Sequence, residues 1–248
     1  KSTPKSPMTD RALYGRTLSA GIIDFMAQYY TYGSGSDMNS MVGAYRYEED
    51  EIKAIFQSAW EKAYALIVNC NIIIEKCDAK REVLSDVYYG LYKGEAIALR
   101  AMLHLDMLRL FGPVYDDASK TEKSIPYVTN SDSEISPLLS AEEILNFVIE
   151  DLKVALDLLK SVDPILTEGV RNESNNDGGD NSLYYRQYRM NYYAVKALLA
   201  RAYAWGHDGR NALIVAEEIL REVQVEGAEI FPFVEHSAAR SEERRVGK

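Results

Sequence analysis

Gly94-Glu95-Ala96-Ile97-Ala98-Leu99-Arg100-Ala101, running on to Arg109-Leu110-Phe111-Gly112-Pro113-Val114, decides the architecture of this chain. Wound at about 100° per residue, the stretch has two apolar faces rather than one. Leu99, Leu103, Met107 and Leu110 form the first; Ile97, Ala98, Ala101, Leu105 and Leu108 form the second. Thin polar seams, Glu95-Asp106-Arg109 and Lys93-Arg100-His104, divide them. A helix of that kind lies between two neighbours, as in stacked helical hairpins. It stops where Gly112-Pro113 cannot continue it.

Working outward, the segment from Glu51 to about Cys77 places Ile52, Ile55, Phe56, Ala59, Trp60, Ala63, Tyr64, Ile67, Asn71 and Ile74 at i, i+3, i+4 spacing, which predicts a long helix. A first helix is expected from Ala12 to about Tyr32, broken by Gly33-Ser34-Gly35-Ser36, with a loop over Asp37–Asp50. The two-faced helix should span Val83–Phe111, and an irregular crossing from Tyr115 to Leu139 follows it. Ser140-x2-Glu143 reads as a capping box opening a further helix. After a polar loop from Thr167 to Ser182, helices over Tyr192–Trp205 and Asn211–Val223 meet at Gly206-His207-Asp208-Gly209. The string Ala197-Leu198-Leu199-Ala200-Arg201-Ala202-Tyr203, with Ala212 and Ala216 beyond the turn, looks like a tetratricopeptide hairpin. The expected class is all-α, with stacked tetratricopeptide-like hairpins and long loops.

A chain of 248 residues, 47% of them hydrophobic, can bury a substantial core. Its formal charge of −10 argues against nucleic acid and anionic membrane surfaces as partners. No run of about 18 apolar residues is present to span a bilayer. Cys70 and Cys77 lie about 10 Å apart along one helix, too far for a disulfide. His104, His207 and His236 have no metal-ligand spacing, so no metal or cofactor is expected.

The helix carrying Trp60-x3-Tyr64-x2-Ile67-x3-Asn71 and the helix carrying Gly94-Glu95-Ala96-x3-Arg100-Ala101 to Phe111-Gly112-x-Val114 together resemble the signature of the SusD/RagB family of outer-membrane nutrient-binding lipoproteins. The resemblance covers roughly Asp24 to Leu220 by order and spacing of elements. It implies a SusD-like α–α superhelix in which Trp60, Tyr64, Asn71, Gly94, Glu95, Arg100, Phe111 and Gly112 serve the scaffold. It also implies a protein on the extracellular face of the outer membrane that captures an oligosaccharide or other nutrient and delivers it to a TonB-dependent SusC-like transporter. Membrane attachment would run only through a lipid anchor; the sequence starts at Lys1 without Met and reads as trimmed at its N-terminus, so neither the lipid-bearing Cys nor the signal peptide of that family is expected within it.

Two loops offer binding chemistry. Tyr29, Tyr30, Tyr32, Tyr45 and Tyr47 gather around Asp37, Asn39 and Arg46. Flat rings cover the C–H face of a pyranose, while Asp, Asn and Arg read its hydroxyls. By resemblance, part of the glycan site comes from the segment before the Trp60 helix. A Tyr-rich surface loop without a ligand is the alternative, since the chain holds 18 Tyr against 6 Phe. Asn172–Asn181 offers oxygens to calcium but lacks the ordered spacing of a calcium loop, and also reads as a solvated loop. No nucleophile with a base partner stands out, so an enzyme is not expected. A tetratricopeptide-type scaffold that binds protein segments is the rival reading.

The end of the chain differs in character. Residues 240–248, RSEERRVGK, are charged and aperiodic and resemble a translated sequencing adapter. On that reading residues 1–239 would be one helical domain incomplete at its C-terminus, with Phe231-Pro232-Phe233 lacking a later helix to pack under; a natural frayed terminus is the alternative.

Overall fold

The computed structural model describes residues 13–14, 18–31, 33, 35, 37–132, 134–174, 180–225 and 228–232. A π-helical turn, Leu18–Ile22, runs into the short helix α1, Ile23–Met26. Then come α2 (Met38–Gly43), α3 (Asp50–Ala79), α4 (Asp86–Phe111), α5 (Ala141–Leu159), α6 (Ile165–Glu168), α7 (Tyr192–Trp205) and α8 (Gly209–Glu222). Strands β1 (Lys123–Pro126) and β2 (Leu138–Ser140) pair antiparallel, Ile125 against Leu139, and a minimal ladder joins β3 (Gln224–Val225) to β4 (Ala228–Glu229). The fold is mostly helical and tetratricopeptide-like. Among the described residues no helix is long and apolar enough to cross a membrane.

The two faces of α4 have the two expected neighbours, α3 and α5. Ala98, Ala101, Leu105 and Leu108 are fully enclosed, and Leu103 and Met107 nearly so. Close approach is built into the sequence: a Cβ at Gly94 would sit 2.9 Å from Leu159 Cγ, and one at Gly90 would sit 2.8 Å from the Leu158 carbonyl. Beyond α5 the stack continues through α7, which pairs with α8 across the Gly206 turn. Caps fix the starts: Ser140 and Glu143 form the reciprocal capping box of α5, and Asn191 and Asp208 cap α7 and α8.

Several expectations change. The first helix ends at Met26, because Gln28 takes a left-handed conformation (φ 61°) well before the glycine run. The stretch 37–50, expected as loop, carries α2, since Asp37 caps its orphan N–H groups. The irregular crossing contains the β1–β2 ladder. Trp60, expected on the apolar ladder against the Val83–Phe111 helix, is half-buried there, its ring edge-on to Phe111 at 5.1 Å. The small Ala59 and Ala63 are fully buried on α3, and the indole packs against that core from its edge. Residues 233–248 lie outside the described residues, as does Phe233 of the aromatic segment; Phe231 stands 41% exposed with its ring 6.1 Å from that of Tyr193.

Candidate functional site

The tyrosine-rich segment is built from the turn after α1, from α2, and from the link to α3. Gln28 donates Nε2–H to the Gly43 carbonyl (2.9 Å), tying the first of these pieces to the second. Tyr29 is 77% exposed and Tyr30 is also exposed, its ring tilted against Phe25 at 5.5 Å. Tyr45 is 52% exposed on a left-handed backbone (φ 56°), and its hydroxyl donates to the Met26 carbonyl (3.0 Å). A left-handed non-glycine residue carries strain that surrounding structure must hold in place. Tyr47 is half-buried, edge-on to Tyr45 at 6.0 Å and to Phe56 at 5.8 Å, and burial pushes its phenol above the ordinary range.

The polar residues of this segment serve local structure first. Asp37 Oδ2 accepts from the Ser40 hydroxyl (2.6 Å), and Oδ1 accepts from the backbone N–H of Asn39 and Ser40. Those bonds, the Ser40 hydroxyl foremost, hold its carboxyl below the usual carboxylate range. Arg46 pairs with Glu49, whereas Asn39 is exposed. The structure therefore brings Tyr45 and Tyr47 together and links them to Met26, while Asp37 and Arg46 are engaged within the segment. Tyr32 lies outside the described residues.

Behind Tyr47 the rings continue inward. Phe56 meets Phe111 (6.3 Å), Phe111 meets Trp60 (5.1 Å, 79°), and Trp60 leans on Tyr64 (4.7 Å). Tyr64 then faces His104 (6.0 Å), and His104 stacks on Tyr127 (4.0 Å). Edge-to-face and offset pairs of this kind add about 0.5–1.5 kcal/mol each beyond burial. The exposed tyrosines thus rest on a continuous aromatic interior.

The remaining motif residues hold the crossing over α3, α4 and α5. The Tyr64 hydroxyl donates to the Pro126 carbonyl (3.0 Å), and Asn71 Nδ2 donates to those of Val128 (3.1 Å) and Asn130 (2.8 Å). Asn71 Oδ1 in turn accepts from Arg100, whose Nε and Nη2 donate to the two oxygens of Asp151, which also accepts from the Tyr127 hydroxyl. His104 Nε2 accepts the Val128 backbone N–H (3.0 Å), so its proton sits on Nδ1 and is donated to the Arg100 carbonyl (2.9 Å). Burial lowers the His104 pKa to about 3, in keeping with that neutral tautomer. Glu95 pairs with Arg186, which is bidentate to the buried Asp163 (2.9 and 3.0 Å), and burial pushes the Glu95 carboxyl up against the pull of Arg186. The seams read from sequence as thin are in part interior: Arg100 and His104 are both buried.

Sequence reading missed Asp151, Tyr127, Asp163 and Arg186. Asp151 had a signal, a carboxylate set beside the apolar stripe Val148-Leu152-Ala155. The other three lie in irregular segments where no periodicity marks burial. Among the described residues no group of three or more His, Cys, Asp or Glu is placed to hold a metal ion, and residues 175–179 of the candidate calcium loop are outside them.

Comparison with known proteins supplies what the geometry alone does not. A SusD-like family model, described as starch-binding and associating with the outer membrane, matches residues 24–167, more than half of the chain. A SusD-like protein of Formosa agariphila is 35% identical over 99 residues, which is 39% of this chain and 17% of that protein. The structure of a SusD superfamily protein from Bacteroides thetaiotaomicron is similar with a TM-score of 0.58 at 21% identity, covering 77% of this chain and 37% of that one. A structure with xylogluco-oligosaccharide is similar with a TM-score of 0.54 at 18% identity, covering 87% of this chain and 38% of that one. At such identities the likeness is one of fold. The chain spans well under half the length of each of these proteins.

Proposed function

The chain belongs to the SusD-like family, and from that premise we propose that it is the helical part of an outer-membrane carbohydrate-binding protein that takes up neutral oligosaccharide through its Tyr29–Tyr47 segment. The observation that carries the reading is the pair of exposed rings, Tyr29 and Tyr45, on a short frame tied by the Tyr45–Met26 and Gln28–Gly43 hydrogen bonds. A sugar ring would stack on the tyrosines, and Asn39 and backbone groups would read its hydroxyls. Asp37 and Arg46 would contribute by fixing the segment. The family's association with the outer membrane, and the oligosaccharide held by a protein of the same fold, support this ligand class.

In the proposed role the protein sits lipid-anchored on the extracellular face and passes its ligand to a TonB-dependent SusC-like transporter, with binding and release and no covalent chemistry. The family resemblance supports that transfer step. Replacing both Tyr45 and Tyr47 by Ala in the full-length protein is expected to weaken oligosaccharide binding by at least about tenfold in a calorimetric titration, given stacking worth about 1–3 kcal/mol per ring. Unchanged affinity would remove the segment from the site.

A further inference from the structure

A second cleft lies where the segment after α4 passes the α7–α8 turn. It is about 450 Å³ in volume and lined by Arg109, Pro113, Tyr115, Trp205 and His207 among others. None of these belongs to the Tyr29–Tyr47 segment. The Tyr115 and Trp205 rings stand 4.8 Å apart at 48°, and His207 closes the group 6.1 Å from Tyr115. Both large rings are partly exposed.

Three features make this more than an incidental hollow. The first is unused donor capacity: Arg109 gives one N–H to Asp106 at 3.4 Å, and the His207 imidazole has no hydrogen bond among the described residues. The second is backbone strain at the cleft itself. His207 is left-handed (φ 62°), held by the Asp208 N–H to Tyr203 carbonyl bond (2.9 Å). A helix end normally gives that position to glycine. Here the glycine comes one residue earlier, at Gly206, where a Cβ would collide with Leu145, and the imidazole takes the strained place. The third is the lining itself: two partly exposed rings, in contact at 48°, share one cleft with donor side chains, and an aromatic face beside hydrogen-bond donors suits a ring that carries both C–H and hydroxyl groups.

We propose that this cleft is a second saccharide site, in which a neutral pyranose ring packs into the Tyr115–Trp205 corner and Arg109 and His207 hydrogen-bond its hydroxyls. The volume falls within the roughly 300–1,000 Å³ of small-molecule sites. The chain's net charge of −10 disfavours an anionic occupant despite the local Arg109. The ligand class rests on the function proposed above, but the residues do not.

Trp60 and Trp205 are the chain's two tryptophans, so Trp60→Phe leaves an indole reporter in the cleft alone. Titrating that variant with maltohexaose and with cellohexaose should give a saturable change in Trp205 emission for at least one of them. The change should persist in a Tyr45→Gly background. It should weaken about tenfold with Tyr115→Ala and be restored by Tyr115→Phe, which keeps the ring face. His207→Gly relieves the strained backbone, so it should fold at least as well and still bind more weakly. Silent Trp205 emission, while calorimetry detects binding that Tyr45→Gly weakens about tenfold, would overturn the second site and leave the first standing. Undiminished binding in both Tyr115→Ala and His207→Gly would also overturn it. No binding of either sugar by emission or calorimetry would overturn both readings.

Discussion

The guanidinium of Arg100 on α4 and the carboxylate of Asp151 on α5 face each other through two hydrogen bonds of 2.8 Å each. The pair joins the two-faced helix to its second neighbour at a point where Asn71, from its first neighbour, also reaches Arg100. Three helices therefore meet in one buried polar knot. A buried charge that loses its partner costs about 3–5 kcal/mol, whereas replacing both charges by apolar residues of similar volume is far less harmful. Asp151→Ala is accordingly expected to destabilise by about 3–5 kcal/mol in urea unfolding. Arg100→Met with Asp151→Leu should lose less than Asp151→Ala alone. A double variant worse than the single would mean that the attraction outweighs the desolvation it answers.

His104 gives the protein a distinct acid response. Its folded pKa of about 3 lies below the ordinary 6.5, because the ring is enclosed and its Nε2 must accept the Val128 N–H. The folded state thus favours the neutral form. The contribution is whole above pH 6.5 and is lost progressively as pH falls from there towards 3, by up to about 1.4 kcal/mol per pH unit for one proton. His104→Gln can still accept from Val128 but does not titrate. Unfolding free energies measured between pH 7 and 4 should fall more steeply for the wild type than for this variant; parallel curves would mean that the ring is not held neutral.

Trp60 stands at the outer edge of the α3–α4 contact, edge-on to Phe111 and leaning on Tyr64. Trp60→Ala should cost about 3 kcal/mol, the lower end of the range for large core aromatics, since one side of the indole is already open. Trp60→Phe keeps most of the ring contacts and should cost less. Thermal or urea melts of the two variants check the ranking.

The stack of helices was legible because periodicity reports packing directly. The two apolar faces on α4, the i, i+3, i+4 ladder on α3 and the capping box at Ser140 each have one natural reading. Asn71 and Arg100 could be located on their helices, but not their partners. Asn71 meets carbonyls at 128 and 130, and Arg100 meets Asp151, through chain crossings that leave no local pattern. Helix α2 was missed because its six residues are too few to show a period, and its cap, Asp37, looks like any polar loop residue. The same ambiguity affected the candidate site. Asp37 and Arg46 suit hydroxyl recognition by type, yet local hydrogen bonds engage both, and only coordinates reveal that. Tyr115 lies about 90 residues before Trp205 and His207 in sequence, so no local pattern groups the three.

The cap itself is testable. Asp37→Ala removes the acceptor for the Asn39 and Ser40 N–H groups and should destabilise the protein, the usual direction when an N-cap is lost. Because this carboxyl is held below its ordinary range, its contribution is complete above about pH 4 and fades as pH falls further. The wild type and the variant should therefore converge in stability at low pH. A gap that persists undiminished as the pH is lowered would assign the effect to something other than the carboxylate.

Tyr45 and Tyr47 adjoin each other but should fail in different ways. Tyr47 is wedged between Tyr45 and Phe56, so Tyr47→Ala should destabilise the fold by about 2 kcal/mol, a partial version of losing a core aromatic. Tyr45 is exposed and left-handed, so Tyr45→Gly removes the ring while relieving the backbone, and stability should stay within about 1 kcal/mol of the wild type. If the outward ring stacks on sugar, this variant of the full-length protein should nonetheless lose oligosaccharide affinity, by about tenfold. Raising salt from 50 to 500 mM should leave the wild-type affinity nearly unchanged, because a neutral ligand releases no counterions. Loss of stability without loss of affinity in Tyr45→Gly would place the ring in the scaffold, and a steep salt dependence would make the ligand charged.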